Sequence, residues 1–386
     1  VSGEAIRDAA AGALRLRAWA LGVLAGGDAS PAPEADAAAW DVFLAVERCA
    51  LPLRRALGAA GALDLVGPPG RDRLDRRGTA EAMNLLALRN EAASIARMLG
   101  RRGWSAIVPK GGAAVLAGAC EVDVQDLDVL VRPEHAHELA AEMDAAGYVH
   151  DGPDFAADAP NRHQMAPRAR PGSIMVEVHF ALAPRLEGDP WAGALPLPIA
   201  GLLRLAPADH LWNVLAHATL HHPERRGALR DLVVAAAGVR WCGDAELREV
   251  ERRCAEHPRG ELPGRMLRMA RALAAGRAED LFRREAATAA LMSLWLFGHR
   301  PRPAVQLALE RTAFALAQGH GEYATLWHGS HVSVFHRGYT GETRLDRVFP
   351  AAAAAARAAL RAASLAAALP RAAWIARTAR RLAETD

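Results

Sequence analysis

Residues 108–131 read VPKGGAAVLAGACEVDVQDLDVLV. The stretch holds Lys110, the single lysine of the chain; every other basic residue among the 47 Lys and Arg is arginine. Two glycines follow it, then a run of small residues, then two aspartates set in an apolar strand. Alternate side chains of a strand share a face, so Asp126 and Asp128 point one way and Leu127, Val129 and Val131 the other. Two ionised carboxylates about 6–7 Å apart along one strand repel each other unless a cation lies between them. A hard divalent ion such as Mg²⁺ meets that need, because it takes oxygen ligands and keeps positions open for phosphate.

Working outward, Lys110-Gly111-Gly112 lies between a predicted strand (Trp104 to Val108) and a predicted small-residue helix (Ala113 to Ala119). Glycines let backbone N–H groups approach a phosphate closely, and a lysine beside them supplies a compact point charge. Chance is the competing explanation: abundant alanine and arginine suggest a GC-rich genome in which lysine is scarce. Downstream, IMVEVHF (174–180) reads as a strand by β-branching and alternation. There Glu177 and His179 share the face opposite Ile174, Val176, Val178 and Phe180. If the two strands are neighbours, Glu177 joins the aspartates as a third carboxylate, the number that a two-metal phosphoryl site needs. For His179 we expect the task of orienting Glu177, ahead of contacting a nucleotide or merely filling the polar face.

The rest of the chain frames this centre. With 386 residues, 51% of them hydrophobic and 24% charged, it has the composition of a globular protein of two or three units. A formal charge of +3 carries no strong nucleic-acid footprint. Cys49, Cys120, Cys242 and Cys254 form no CxxC pair, which argues against a zinc ribbon or a disulfide framework. The N-terminal sequence lacks a basic start followed by an apolar core, and no window approaches the roughly 18–20 apolar residues of a spanning helix, so a cytoplasmic protein is expected. The expected division is a helical region at 1–100, an α/β core at 101–200 and a helical region at 201–386. Within the first, breaks are predicted at GGDASPAPEAD and at VGPPGRDRLDRRG, with an amphipathic helix from Thr79 to Leu99 stopped by Gly100 and Gly103. A further helix is predicted from Pro133 to about Ala146, a loose stretch from Asp151 to Gly172, and a loop at WAGALPLP (191–198).

The order strand, KGG, short helix, DxD on a strand, acid on a later strand resembles the nucleotidyltransferase superfamily, with Asp126 standing 14 positions after Gly112. The finer likeness is to an uncharacterised bacterial nucleotidyltransferase family with the pattern LKG…DiDlLV…Gy…H…vevHw. Here it reads VPKGG, DLDVLV, Gly147-Tyr148, His163 and VEVHF, followed by RLAPADHLWNVLAHATLHH, LRDL and RVFP (347–350). The likeness runs from about residue 80 onward. It implies an α+β fold, a small mixed β-sheet core flanked by extensive N- and C-terminal helical regions. It also implies Mg²⁺-dependent transfer of an NMP group from an NTP to a hydroxyl or phosphate acceptor of a small molecule, peptide or protein. Asp126, Asp128 and Glu177 would hold two Mg²⁺ ions, Glu177 alternatively serving as base, and Lys110, Gly111 and Gly112 would hold the phosphates. A non-catalytic nucleotide- or protein-binding module and a metal-dependent phosphohydrolase are the alternatives.

The chain departs from the family pattern at two places. Pro109 replaces a leucine, and Asp123 stands where the family usually has an arginine, three residues before the first aspartate. An acid there would repel triphosphate if it faced the site. We expect Asp123 instead to turn into solvent or cap the loop, with Arg132 or another arginine supplying the charge. Among other candidates, His217 and His221 have zincin spacing but no intervening glutamate, which favours a packed role over zinc. By the family likeness Arg230-Asp231 would reach the site, and an ion pair between helices is the equal alternative. The alanine-rich 351–369 run is helix-prone, and the arginines that follow (Arg371, Arg377, Arg380, Arg381) read as a solvated, frayed tail.

Overall fold

The computed structural model describes residues 2–27, 30–150, 163–182, 186, 188–221, 226–297, 370 and 372–384. Four helices come first: α1 (Gly3–Leu24), α2 (Ala37–Glu47), α3 (Ala50–Ala59) and α4 (Pro68–Arg102). Local chemistry sets their ends. Ser2 accepts the N–H of Ala5 at 3.2 Å and Asp36 that of Ala39 at 2.8 Å, each satisfying an otherwise orphan donor. The break expected at VGPPGRDRLDRRG is a helix start. Proline is compatible with the first helical positions, so Pro68 and Pro69 open α4, and Gly103 (φ 67°) closes it while Gly100 stays inside. Gly70 lets this start pack down, because a Cβ there would lie 2.4 Å from the Trp40 ring.

The sheet follows, from β1 (Ala106–Ile107), β2 (Asp126–Leu130), β3 (Val149–His150), β4 (Arg168–Ala169), β5 (Met175–His179), β6 (Leu195–Pro196) and β7 (Leu202–Arg204), with α5 (Lys110–Leu116) and α6 (Pro133–Ala145) between them. The strand order is β3-β4-β5-β2-β1-β7-β6. β2 pairs parallel with β5 and β1 parallel with β7, while the remaining pairs are antiparallel. The expected α+β class with a mixed sheet between helical flanks is what the structure shows. The 191–198 segment, expected to be only a loop, contributes β6 to the sheet edge.

Helices then resume: α7 (Pro207–Ala216), a π-helical turn at His217–His221, α8 (Leu229–Trp241), α9 (Asp244–Glu256), α10 (Glu261–Ala274) and α11 (Arg283–Phe297). Residues 372–384 are helical too, and Ala372, Ile375 and Ala379 are buried in the main core. The frayed tail is therefore a docked helix: an apolar stripe outweighs the solvation of its arginines. The 351–369 run and RVFP lie outside the described residues, as do 151–162. Among the described residues no helix is long and apolar enough to cross a membrane.

Helices from both flanks meet in a buried ionic cluster. Arg17, on α1, bonds Glu47 Oε2 at 2.7 Å, Asp280 Oδ2 at 2.8 Å and the Gly227 carbonyl at 2.9 Å. Glu47 also accepts the first N–H of α8, from Leu229, at 2.8 Å. Burial works against the charged form of Arg17, but the two carboxylates outweigh it and raise the guanidinium above its ordinary range. The start of α8 is thus fixed from the far end of the sequence.

Candidate functional site

Parallel pairing of β2 with β5 sets Asp128 beside Glu177, Asp126 beside Met175 and Leu130 beside His179. Neighbours in register share a face, so the alternation of DLDVL and MVEVH puts both aspartates, Glu177 and His179 on one side of the sheet. Leu127, Val129, Val176 and Val178 fill the main core on the other side. The polar side ends in a small apolar cluster of Ile107, Leu130, Leu182 and Leu205.

Asp128 is the hub. Its Oδ1 lies 2.8 Å from His179 Nε2 and its Oδ2 3.2 Å from Lys110 Nζ, while Glu177 Oε2 lies 3.5 Å from the same histidine nitrogen. Burial works against an ionised Asp128, yet the Lys110 charge and the His179 hydrogen bond outweigh it and hold the carboxyl well below the usual carboxylate range. Burial likewise pulls His179 down, and its bonds to Asp128 and Glu177 raise it on balance. Asp126 goes the other way. Burial, then the charges of Asp128 and Glu177, lift its carboxyl above the ordinary range. His163, the histidine of the sequence pattern, lies with its ring 5.5 Å from that of His179. Burial and the His179 charge push it down to about 4.

Asp128, Glu177 and His179 each offer one ligand atom, all within 4.8 Å of one another, so the three form a possible metal-binding group. Asp126 shares their face one step along β2. Burial and the charges of Asp128 and Glu177 outweigh those of Arg230 and Lys110 there, a balance that a bound cation would shift toward the ionised form. The oxygen donors suit Mg²⁺, with the imidazole holding Asp128 in place.

Lys110 has φ 53°, and it is one of two non-glycine residues with positive φ among those described. Left-handed backbone costs a bulky residue about 1–3 kcal/mol and persists where the surroundings impose it. Here the extended Pro109 (ψ 177°) delivers the chain to the turn, and the ammonium is drawn over to Asp128. Gly111 and Gly112 are buried: a Cβ on Gly112 would meet Val108 at 3.0 Å, and one on Gly111 would meet Arg230 Nη2 at 3.4 Å. The glycine pair thus serves close packing of the strand and α8 against the turn.

Asp123 takes neither expected position. It is fully buried, and its carboxylate bonds Arg48 Nε at 2.9 Å, Asn84 Nδ2 at 2.8 Å and Gln125 Nε2 at 3.3 Å, with Arg77 Nη2 at 3.5 Å. It turns inward to the N-terminal helices instead of outward to solvent, because α2 and α4 present two guanidinium groups there. Arg132 lies over the Trp191 ring at 4.9 Å. Tyr148, of the Gly-Tyr pair, donates to Glu91 of α4 at 2.7 Å and so docks that helix on the sheet. Arg230 and Asp231 are 3.7 Å apart on the same helix, not an ion pair between helices. His217 and His221 open and close the π-helical turn, and His217 is not in the possible metal-binding group found among the described residues. Sequence reading missed Arg48 altogether; no local signal marks it as the partner of Asp123.

Residues 36–275, well over half of the chain, match the family model described as an uncharacterised nucleotidyltransferase. The match starts before residue 80, at the cap of α2, so the N-terminal helices that enclose Asp123 belong to it, and it stops before RVFP. No curated protein and no solved structure matches the chain.

Proposed function

This chain belongs to the uncharacterised nucleotidyltransferase family, and on that premise we propose that it moves an NMP group from an NTP to a hydroxyl or phosphate acceptor on a small molecule, peptide or protein. The observation that carries the reading is Asp128 and Glu177 paired in register on one face, with Asp126 beside them and Lys110 reaching in. Asp126, Asp128 and Glu177 would hold Mg²⁺, which when bound neutralises phosphate charge and aligns the attacking and leaving oxygens. The protein's share is positional. His179 fixes the Asp128 carboxylate, Glu177 would alternatively serve as base toward an acceptor hydroxyl, and Lys110 would share its charge between Asp128 and the phosphates. The catalytic unit would be 101–200, with the two helical flanks shaping the acceptor pocket. The burial of Asp123 away from the carboxylates supports activity, since that acid does not confront the triphosphate.

The test is incubation of the full chain with each NTP and Mg²⁺, following pyrophosphate release with and without candidate acceptors. Pyrophosphate release is expected. Release of orthophosphate alone would favour a phosphohydrolase, and nucleotide binding without turnover a binding module.

Lys110→Arg is expected to weaken NTP affinity about tenfold, because a planar, longer guanidinium cannot occupy the turn as a compact charge does. Calorimetric titration checks this, and an unchanged affinity would return the lone lysine to compositional chance.

A further inference from the structure

The start of α8 presents a cation that only a loose ion pair holds, with Asp231 Oδ1 at 3.7 Å. The Arg230 side chain is only 16% exposed, yet its Nε has no hydrogen-bond partner among the described residues. Asp231 Oδ1, at 3.7 Å, is beyond hydrogen-bond range. A buried Nε–H without an acceptor has lost its hydration without a replacement, and an arriving anion would supply one. The group is also held where an anion would be useful. Its Nη2 is 3.4 Å from where a Cβ on Gly111 would stand, beside the Lys110 turn. The neighbouring Leu229 N–H is clamped by Glu47, itself gripped by Arg17, so the backbone that carries Arg230 is rigid. Among the positive charges acting on Asp126, Arg230 ranks ahead of Lys110, although it makes no ion pair with that carboxylate.

We infer that Arg230 binds the pyrophosphate portion of the NTP, the β- and γ-phosphates, across the Lys110-Gly111 turn from the metal-holding carboxylates. The inference rests on the nucleotidyltransferase reading and deepens it: the C-terminal helical region, through α8, supplies a direct substrate contact. A guanidinium offers paired N–H donors that match two phosphate oxygens, which an ammonium does not. Held by a helix packed against α5, it would arrive preorganised, and its unmet Nε–H would gain an acceptor in the nucleotide complex.

The experiment is calorimetric titration of the full chain with Mg²⁺ alone, with Mg²⁺-pyrophosphate and with the four Mg²⁺-NTPs, for wild type, Arg230→Gln and Arg230→Lys, alongside thermal melts. Arg230→Gln is expected to weaken NTP and pyrophosphate binding about 10- to 100-fold, the usual weight of charge-assisted hydrogen bonds. Binding of Mg²⁺ alone should stay within about twofold. Arg230→Lys should recover part of the loss. The melting temperature of Arg230→Gln should stay close to that of wild type, because the 3.7 Å pair with Asp231 is too loose to carry much stability. Wild-type NTP affinity in Arg230→Gln overturns the inference and leaves the transferase reading standing. So does a lowered melting temperature with Mg²⁺ binding lost in step, which would make Arg230 a structural residue. A wild-type chain that binds neither NTP nor pyrophosphate overturns both.

Discussion

Asp128→Asn is expected to lower pyrophosphate release at saturating Mg²⁺ and NTP by about 10³-fold or more, since metal clamping supplies several kcal/mol and each ~1.4 kcal/mol is tenfold in rate. The same substitution should also cost stability. Asp128 is the anion between Lys110 Nζ and His179 Nε2, and an amide neutralises neither. Leaving such partners uncompensated costs about 1–3 kcal/mol. Asp126→Asn is the instructive companion. Burial and its two carboxylate neighbours already disfavour an ionised Asp126, so an amide there should leave the metal-free melting temperature unchanged or higher. Its turnover should nonetheless fall by a comparable factor. Melts with EDTA and with Mg²⁺ separate the two effects, because metal binding raises the melting temperature only where the site is intact. Asp128→Asn retaining turnover within tenfold of wild type would remove the carboxylate-metal chemistry. Equal destabilisation by both substitutions would mean that Lys110 and His179 do not single out Asp128.

The geometry of the acidic face was legible because strand periodicity is rigid. Once DLDVL and VEVH are strands, the two-residue period assigns every side chain to a face, and a single pairing decides whether the acids meet. That pairing is β2 with β5, which the sequence left as a condition and the parallel register meets. The two-residue strands β3, β4 and β6 were beyond reach for the same reason, whereas β1 falls inside the strand expected from Trp104 to Val108. Two residues show no alternation, and such strands exist only because a neighbouring strand pairs with them. Proline misled in a specific way. Pro68-Pro69 breaks a helix that precedes it but suits one that begins there, and only the seat of Gly70 on Trp40 discloses which applies.

Contacts between sequence-distant helices were the least legible. Lys110 was conspicuous by composition, but its left-handed backbone and its bond to Asp128 arise from the turn after Pro109 and from the sheet register together. Arg230 carried no periodic or compositional mark; its meaning depends on α8 being fixed by Glu47, 182 positions earlier. Such long-range pairings depend on loop closure and packing, which no local window records.

Asp123→Arg, which restores the residue usual in the family, is expected to damage this protein more than any substitution of an exposed residue. Asp123 sits with Arg48, Arg77 and Glu81 in a cluster of two cations and two anions, and Glu81 is itself committed to the Leu51 N–H at 2.8 Å. Breaking a buried pair costs about 3–5 kcal/mol, and reversing the charge sets three guanidinium groups against one carboxylate. Against a total stability of about 5–15 kcal/mol, the variant should melt about 5 °C or more below wild type, or fail to accumulate as soluble protein. The cure should be a second reversal. Arg48 occupies a left-handed helix cap (φ 48°), a conformation that aspartate tolerates, so Arg48→Asp with Asp123→Arg should recover about 1–3 kcal/mol of the loss. Titration of the rescued double variant with Mg²⁺-NTP then asks what residue 123 does. Its side chain points into the N-terminal helices, so an arginine there should leave NTP affinity within about threefold of wild type. A well-folded Asp123→Arg single variant that bound NTP more tightly would put residue 123 at the phosphates and dissolve the buried cluster as the reason for its acid.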